Sequence, residues 1–153
     1  MANTQAITNA FKRDVLLGLH AFGASVIRAA TTKDSFKAAL YLVTASRGAG
    51  DTVYDTTGEL AATGNYAAGG TAVTNGTDPT VSGTKGIWTP TASLVWAALT
   101  SSGAFDAVLI YNDTSATKLA VGVYTFGSQS VTAGTFTLTM PVNDATNALL
   151  RIA

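Results

Sequence analysis

The chain has 153 residues and a mass of 15.6 kDa, with nine basic and nine acidic side chains and a formal net charge of zero. Hydrophobic residues make up 47% of it and charged residues only 12%, about half the usual globular share of charge. That balance leaves no field for steering a phosphate backbone and does not fit intrinsic disorder, while the lack of cysteine excludes disulfide frameworks, thiolate metal sites and cysteine nucleophiles.

At the N-terminus the spacing predicts a helix over residues 5–22. Asn3 and Thr4 are suited to cap its free N–H groups. Ile7, Phe11, Val15, Leu16 and Leu19 then fall on one face, with Lys12, Arg13 and Asp14 on the other. Gly23 is the natural stop. The run from Lys12 and Arg13 to Ala30 faintly resembles a secretion signal, but Asp14, His20 and Arg28 interrupt it. No stretch reaches the ~18–20 apolar residues of a membrane helix, so no membrane partner is expected.

From residue 35 the pattern turns to β. Residues 35–44 carry apolar side chains on both faces, which predicts a central strand. Residues 51–70 read as a long polar loop anchored by Val53, Tyr54 and Tyr66. Further strands are expected at 71–74, 84–88, 93–99, 104–112, 118–126, 135–140 and 148–153. Turn signals such as Asn75-Gly76, Asp78-Pro79, Ser82-Gly83 and Ala133-Gly134 separate them. Residues 135–140 alternate most cleanly, with Phe136, Leu138 and Met140 inward and Thr135, Thr137 and Thr139 outward. The expected fold is mainly β: one antiparallel β-sandwich or jelly-roll-like domain spanning 1–153, with the sandwich at 35–153 and the helix at its N-terminus.

No constellation announces catalysis. His20 is the chain's one imidazole, and no nucleophile or orienting partner is singled out for it. Asp51, Asp55 and Glu59 are a conceivable calcium or glycosidase cluster. The alternating oxygen ligands of a calcium loop are missing, however, and capping of turns is the better account of the acidic residues. The glycine pairs near 48–50 and 69–70 lack the lysine of a phosphate loop and read as turns or close backbone approaches. Trp88, Trp96, Tyr111 and Tyr124 fit either a carbohydrate platform or a sandwich core, and strand positions favour the core. No enzyme activity, cofactor or metal is expected.

The surface composition is the most specific clue. With 25 Thr and few Lys or Glu, the strands lack the charge that protects soluble monomers against association. Such a surface fits a protein that works in contact with other proteins.

Several patches resemble small virion structural proteins of tailed bacteriophages. They are the opening Met1-Ala2-Asn3-Thr4-Gln5-Ala6-Ile7, then Phe36-Lys37-Ala38-Ala39-Leu40-Tyr41, Tyr66-Ala67-Ala68-Gly69-Gly70, and Ala107-Val108-Leu109-Ile110-Tyr111-Asn112. The close, Gly134-Thr135-Phe136-Thr137-Leu138, Pro141 and Asn147-Ala148-Leu149-Leu150-Arg151-Ile152, is similar too. Residues 51–65 depart from the pattern. The resemblance implies a non-enzymatic capsid decoration (cement) protein on the outer surface of the virion. Its partner would be the major capsid protein, and it would act as a dimeric or trimeric homo-oligomer with no nucleic-acid ligand. A tail, baseplate or fibre-adaptor component is the alternative, and a carbohydrate-binding module a more distant one. Asn3, Thr4, Ile7 and Phe11 are the expected partner-contact residues, on a terminal arm; the competing account has their apolar stripe covering an open end of the sandwich.

Overall fold

Alternating apolar residues broken by short turns drive this chain into antiparallel strands. The structure is a computed structural model that describes residues 2–8, 10–11, 15, 19–24 and 32–152. Its strands are β1 (Ala6–Ile7), β2 (Phe36–Leu42), β3 (Thr71–Val73), β4 (Thr80–Ser82), β5 (Lys85–Trp88), β6 (Leu94–Leu99), β7 (Phe105–Asn112), β8 (Ala120–Gln129), β9 (Gly134–Leu138) and β10 (Leu150–Ile152). They form a five-stranded sheet in the order β1-β8-β7-β2-β3, a three-stranded sheet β10-β5-β4 and a two-stranded sheet β6-β9. All pairings are antiparallel. The protein is mainly β, and its layering is consistent with a sandwich.

The two faces of β2 explain the layers. Phe36, Ala38 and Leu40 join Phe105, Val108 and Ile110 of β7 in the main core. Against them pack Trp88 and Leu150 from the three-stranded sheet and Leu94, Trp96 and Leu99 from β6. Rings interlock there: Phe22 stacks on Phe36 at 4.7 Å, and Phe105 meets Phe136 edge-on at 5.0 Å. The residues between, Ala39 and Tyr41, point the other way. With Ala107, Leu109, Tyr111, Ala120 and Val123 they form a second apolar cluster, covered by Ala45 and Tyr54 of the connection 43–70. As expected of a central strand, β2 is flanked by β7 and β3.

Two expectations need correction. No helix is defined among the described residues, so the N-terminal helix over 5–22 is not supported. Its start is strand β1, with Ala6 opposite Val123 and Ile7 opposite Gly122. Residues 19–22 are not helical, helical backbone is described only at Ala10, Phe11 and Val15, and residues 9, 12–14 and 16–18 lie outside the described residues. The physical reason is that Ala6 and Ile7 pair with the edge of β8, the Thr8 N–H bonding the Val121 carbonyl just beyond them, and this tertiary pairing outweighs a weak helical spacing. Second, β4 occupies a stretch that reads as turn on both sides. Pro79 precedes it and Gly83, at φ +60°, opens the two-residue turn into β5.

Phe36 is 1% exposed and meets three rings from two segments, His20 and Phe22 from one and Trp88 from the other. Phe36→Ala is expected to destabilise the fold by about 3–5 kcal/mol, whereas Val81→Ala, at 80% exposed, should change it by less than about 0.5 kcal/mol. Urea unfolding of the two variants checks the contrast.

Candidate functional site

The connection 43–70 covers the second face of the large sheet, and polar side chains hold it there. Glu59 is buried, and its carboxylate accepts three hydrogen bonds: from the Tyr54 hydroxyl at 2.6 Å, the Tyr66 hydroxyl at 2.7 Å and the Gly69 N–H at 2.7 Å. Tyr66 in turn accepts from the Leu40 N–H at 3.0 Å, and Tyr111 donates to the Gly69 carbonyl at 2.8 Å. Tyr54 stacks on Tyr111 at 4.5 Å. Burial, reinforced by the hydrogen bonds to Glu59, raises the pKa of Tyr54 and Tyr66 well above the usual phenol range. Burial likewise pushes Tyr111 up to about 12. These hydroxyls therefore stay protonated as donors at any physiological pH.

Gly70 shows why small residues end this segment. At φ +76° it passes so close to β2 that an added Cβ would lie 1.8 Å from the Ala38 carbonyl oxygen. Only glycine permits that approach.

Arg47 makes the second anchor. Its guanidinium lies 4.5 Å from the Tyr41 ring centre and donates to Asp51 at 3.0 Å, Asp55 at 3.3 Å and the Thr57 carbonyl. The Asp55 carboxyl is held below the usual range, first by the Thr57 N–H and then by further contacts that include Arg47. The suggested calcium cluster is thus divided: Asp51 and Asp55 face an arginine, and Glu59 is enclosed by tyrosines. No cluster of three or more metal-ligating side chains occurs among the described residues. Asp51, Asp55 and Asp144 do cap turns, accepting from the N–H groups of Gly48, Thr57 and Thr146.

The four expected contact residues are engaged within the chain. Asn3 is buried; its amide donates to the Leu42 carbonyl and to Asp106, and its oxygen accepts from the Arg47 N–H at 2.8 Å. Thr4 is exposed but its N–H bonds the Arg47 carbonyl at 2.9 Å. Ile7 is half-buried in β1, and Phe11 lies in the main core with its ring 5.0 Å from His20. Of the apolar stripe, Ile7, Phe11 and Val15 pack onto the main core, whereas Leu19 is exposed and Leu16 lies outside the described residues. His20 is half-buried, with Nδ1 3.3 Å from the Asn112 amide nitrogen, which also donates to Asp34 at 2.8 Å. Trp88, Trp96 and Tyr111 are buried and Tyr124 half-buried, so they fill cores.

The surface also holds apolar side chains and free strand edges. Among the described residues, Val81, Val95, Val142, Ile152 and Leu19 are the large hydrophobics left exposed. A cavity of about 220 Å³ lies between β1 and β10, lined by Gln5, Ala6, Ile7, Tyr124, Leu149 and Arg151. No described helix is long and apolar enough to cross a membrane. Sequence reasoning missed the hub at Glu59. The available signal was that it is the chain's one glutamate among eight aspartates, set between Tyr54 and Tyr66.

No protein-family model matches this chain, and neither a curated protein nor a solved structure matches it.

Removing the carboxylate strands two buried hydroxyls and an amide. Glu59→Ala is expected to lower stability by about 2–4 kcal/mol and to raise amide exchange across 54–69. A loss below about 1 kcal/mol would show that the connection is held by apolar contacts instead. A second test concerns Asp113, which bonds Lys118 at 2.9 Å and Lys37 at 3.2 Å. Those lysines, Lys118 first, hold its carboxyl below the usual range. Because the folded pKa is depressed, the stabilisation is present above about pH 4 and fades as pH falls through the folded value. Wild type should exceed Asp113→Asn by about 0.5 kcal/mol at pH 7, after screening, and the gap should close near pH 2. A pH-independent gap would assign the effect to packing.

Proposed function

We propose that this chain is a non-enzymatic virion structural protein of a tailed bacteriophage, and that it decorates the outer capsid, bound to the major capsid protein as a homo-oligomer. The observation that carries the reading is the make-up of its surface. Charged groups are few, and several are turned onto one another, as in Arg47 with Asp51 and Asp55 or Asp113 with Lys37 and Lys118. Val81 and Val142 meanwhile stand 80% and 69% exposed on a body with open strand edges. Such a surface is suited to burial against protein, and it avoids like-charge repulsion among copies crowded on a shell. The patches that resemble phage virion proteins support the same reading, in which the fold is a jelly-roll-like sandwich.

The stabilising mechanism is mass action. A protein that binds the mature lattice and not its disrupted form shifts that equilibrium by RT ln(1 + [L]/Kd), about 2.7 kcal/mol per site at a hundredfold excess over Kd. Oligomeric copies engage several sites together, so a modest single-site affinity is multiplied. Because Asn3 and Phe11 are packed within the chain, the lattice contacts in this reading come from exposed strands, with Thr4 and Ile7 at their margin.

Quantitative mass spectrometry of purified particles tests the reading. Hundreds of copies per particle are expected. Six, twelve or a few dozen would move the protein to the tail or baseplate, and its absence from particles would overturn the virion reading.

A further inference from the structure

An antiparallel sheet that is not closed into a barrel has to protect its outer strands, since each presents unpaired N–H and C=O groups to any other chain. Among the described residues there are three open sheets, and their edges are not protected alike. β1 is two residues long, and β3 is three residues long and lies against β6. β10 is three residues long and carries Arg151. β4 is three residues long and follows Pro79, which has no N–H to offer. β6 is bulged between Trp96 and Leu99, where Ala98 adopts φ +50°, and Leu99 is bridged to Gly64. Shortness, charge, proline and bulges are the usual devices, and each of these five edges has at least one.

β9 has none of them. It runs unbroken for five residues, Gly134-Thr135-Phe136-Thr137-Leu138, and the alternation continues through Thr139 and Met140. No charged residue occurs anywhere from 119 to 143, and no proline occurs there before Pro141. One side of β9 pairs with β6; on the other, no backbone hydrogen bond is made by β9 among the described residues. Its inward side chains are also incompletely covered. Phe136, Leu138 and Met140 pack on the main core yet remain half-exposed, although comparable positions on β2 and β7 are fully buried. On the outward side, Thr135 and Thr137 stand exposed beside Val95, which is opposite Thr137 and 49% exposed. Finally, β6-β9 is a two-stranded sheet, the smallest in the molecule and a size that has little stability of its own.

We propose that β9 is a self-association edge: two copies pair β9 with β9, antiparallel about a two-fold axis, to join their two-stranded sheets into one of four strands. A second copy is the occupant that the chemistry fits. The edge carries no charge, so an identical strand meets it without like-charge repulsion, and a two-fold axis needs a self-complementary surface. Centring the axis on Phe136 places Thr135 opposite the partner's Thr137, a favourable cross-strand pair of β-branched hydroxyl residues. It also sets Phe136 beside the partner's Phe136, covering the half-exposed row of the inner face. The contact is isologous, so it closes at two copies and does not propagate into a fibre. This inference is independent of the virion reading: it is measured on purified protein without capsids, and absence from particles would leave it untouched.

Sedimentation equilibrium of the pure chain up to about 100 µM should give a particle of twice the 15.6 kDa chain mass. Thr137→Lys, which sets a charge on the exposed face of the strand, should weaken the dimer at least tenfold while the circular dichroism stays that of the wild type. Because the chain has no cysteine, a Thr135→Cys/Thr137→Cys variant adds a second readout. Mild oxidation should link it into disulfide dimers, whereas Thr80→Cys/Ser82→Cys on β4 should stay unlinked. A monomeric or trimeric wild type overturns the proposal. So does a dimer that both ignores the lysine and fails to cross-link through β9, or one that cross-links through β4 instead. If Thr137→Lys fails to fold, the cross-link alone decides.

Discussion

A strand buried on both faces has no side open to water, so whatever covers its second face has to satisfy its own peptide groups without solvent. β2 and β7 impose that condition here, because Ala39, Tyr41, Ala107 and Leu109 are buried opposite the main core. The cover is an irregular connection rather than another sheet. Its backbone borrows partners from the sheet it covers: the Leu60 N–H bonds the Leu40 carbonyl, the Tyr54 N–H bonds the Lys118 carbonyl, and the Ala120 N–H bonds the Thr52 carbonyl. Side chains complete the set, with the Glu59 carboxylate gathering two tyrosines and one amide. A buried carboxylate is costly by itself, but with three donors in place it fixes the position of everything it touches. The second anchor, Arg47, extends the order to the N-terminus through Asn3 and Thr4.

The distribution of charge follows from this division. Arg47, Asp51, Asp55 and Glu59 lie within the cover, and Lys37, Asp113 and Lys118 lie at the ends of the strands beneath it. By contrast, residues 86–105 and 119–143 carry no charge at all. Those two stretches supply the whole of β6, β8 and β9. The molecule therefore has one region where polar chemistry is dense and satisfied internally, and another where uncharged strands meet solvent. The first has the features of structural reinforcement, and the second has those of contact.

Strands were legible where the hydrophobic pattern was strong. The stretches predicted at 35–44, 104–112 and 135–140 correspond to β2, β7 and β9, the first two as apolar runs buried on both faces and the last by its alternation. β1 was illegible for the opposite reason. Ile7, Phe11 and Val15 share a helical spacing, but Ile7 with Ala6 extends the edge of β8 instead, and nothing local announces so short a strand. β4 was hidden by its neighbours, since Asp78-Pro79 and Ser82-Gly83 both read as turns and only the pairing with β5 reveals a strand between them. The polar hub was harder still. Tyr54, Glu59 and Tyr66 lie within twelve residues of one another, yet their meeting depends on a carboxylate turned inward from a segment that composition marks as loop. The intrachain partners of Asn3, at Arg47 and Asp106, were illegible because they are distant in sequence and no local pattern links them.

The same contrast bears on how the strand edges of a sparsely charged protein are guarded against association. Net charge offers nothing here, because it is zero. Protection has to come from geometry, edge by edge, through strand lengths of two or three residues, Pro79, Arg151 and the bulge at Ala98. These devices act locally and cost little stability, but each guards only its own strand. An edge that lacks them is therefore a specific departure rather than a general deficit. Random loss of protection would leave several edges open; the departure at β9 stands alone, on the smallest sheet and beside a half-covered row of core side chains. That coincidence is what a surface retained for a defined partner requires, because apolar cover and strand pairing are gained together in one contact.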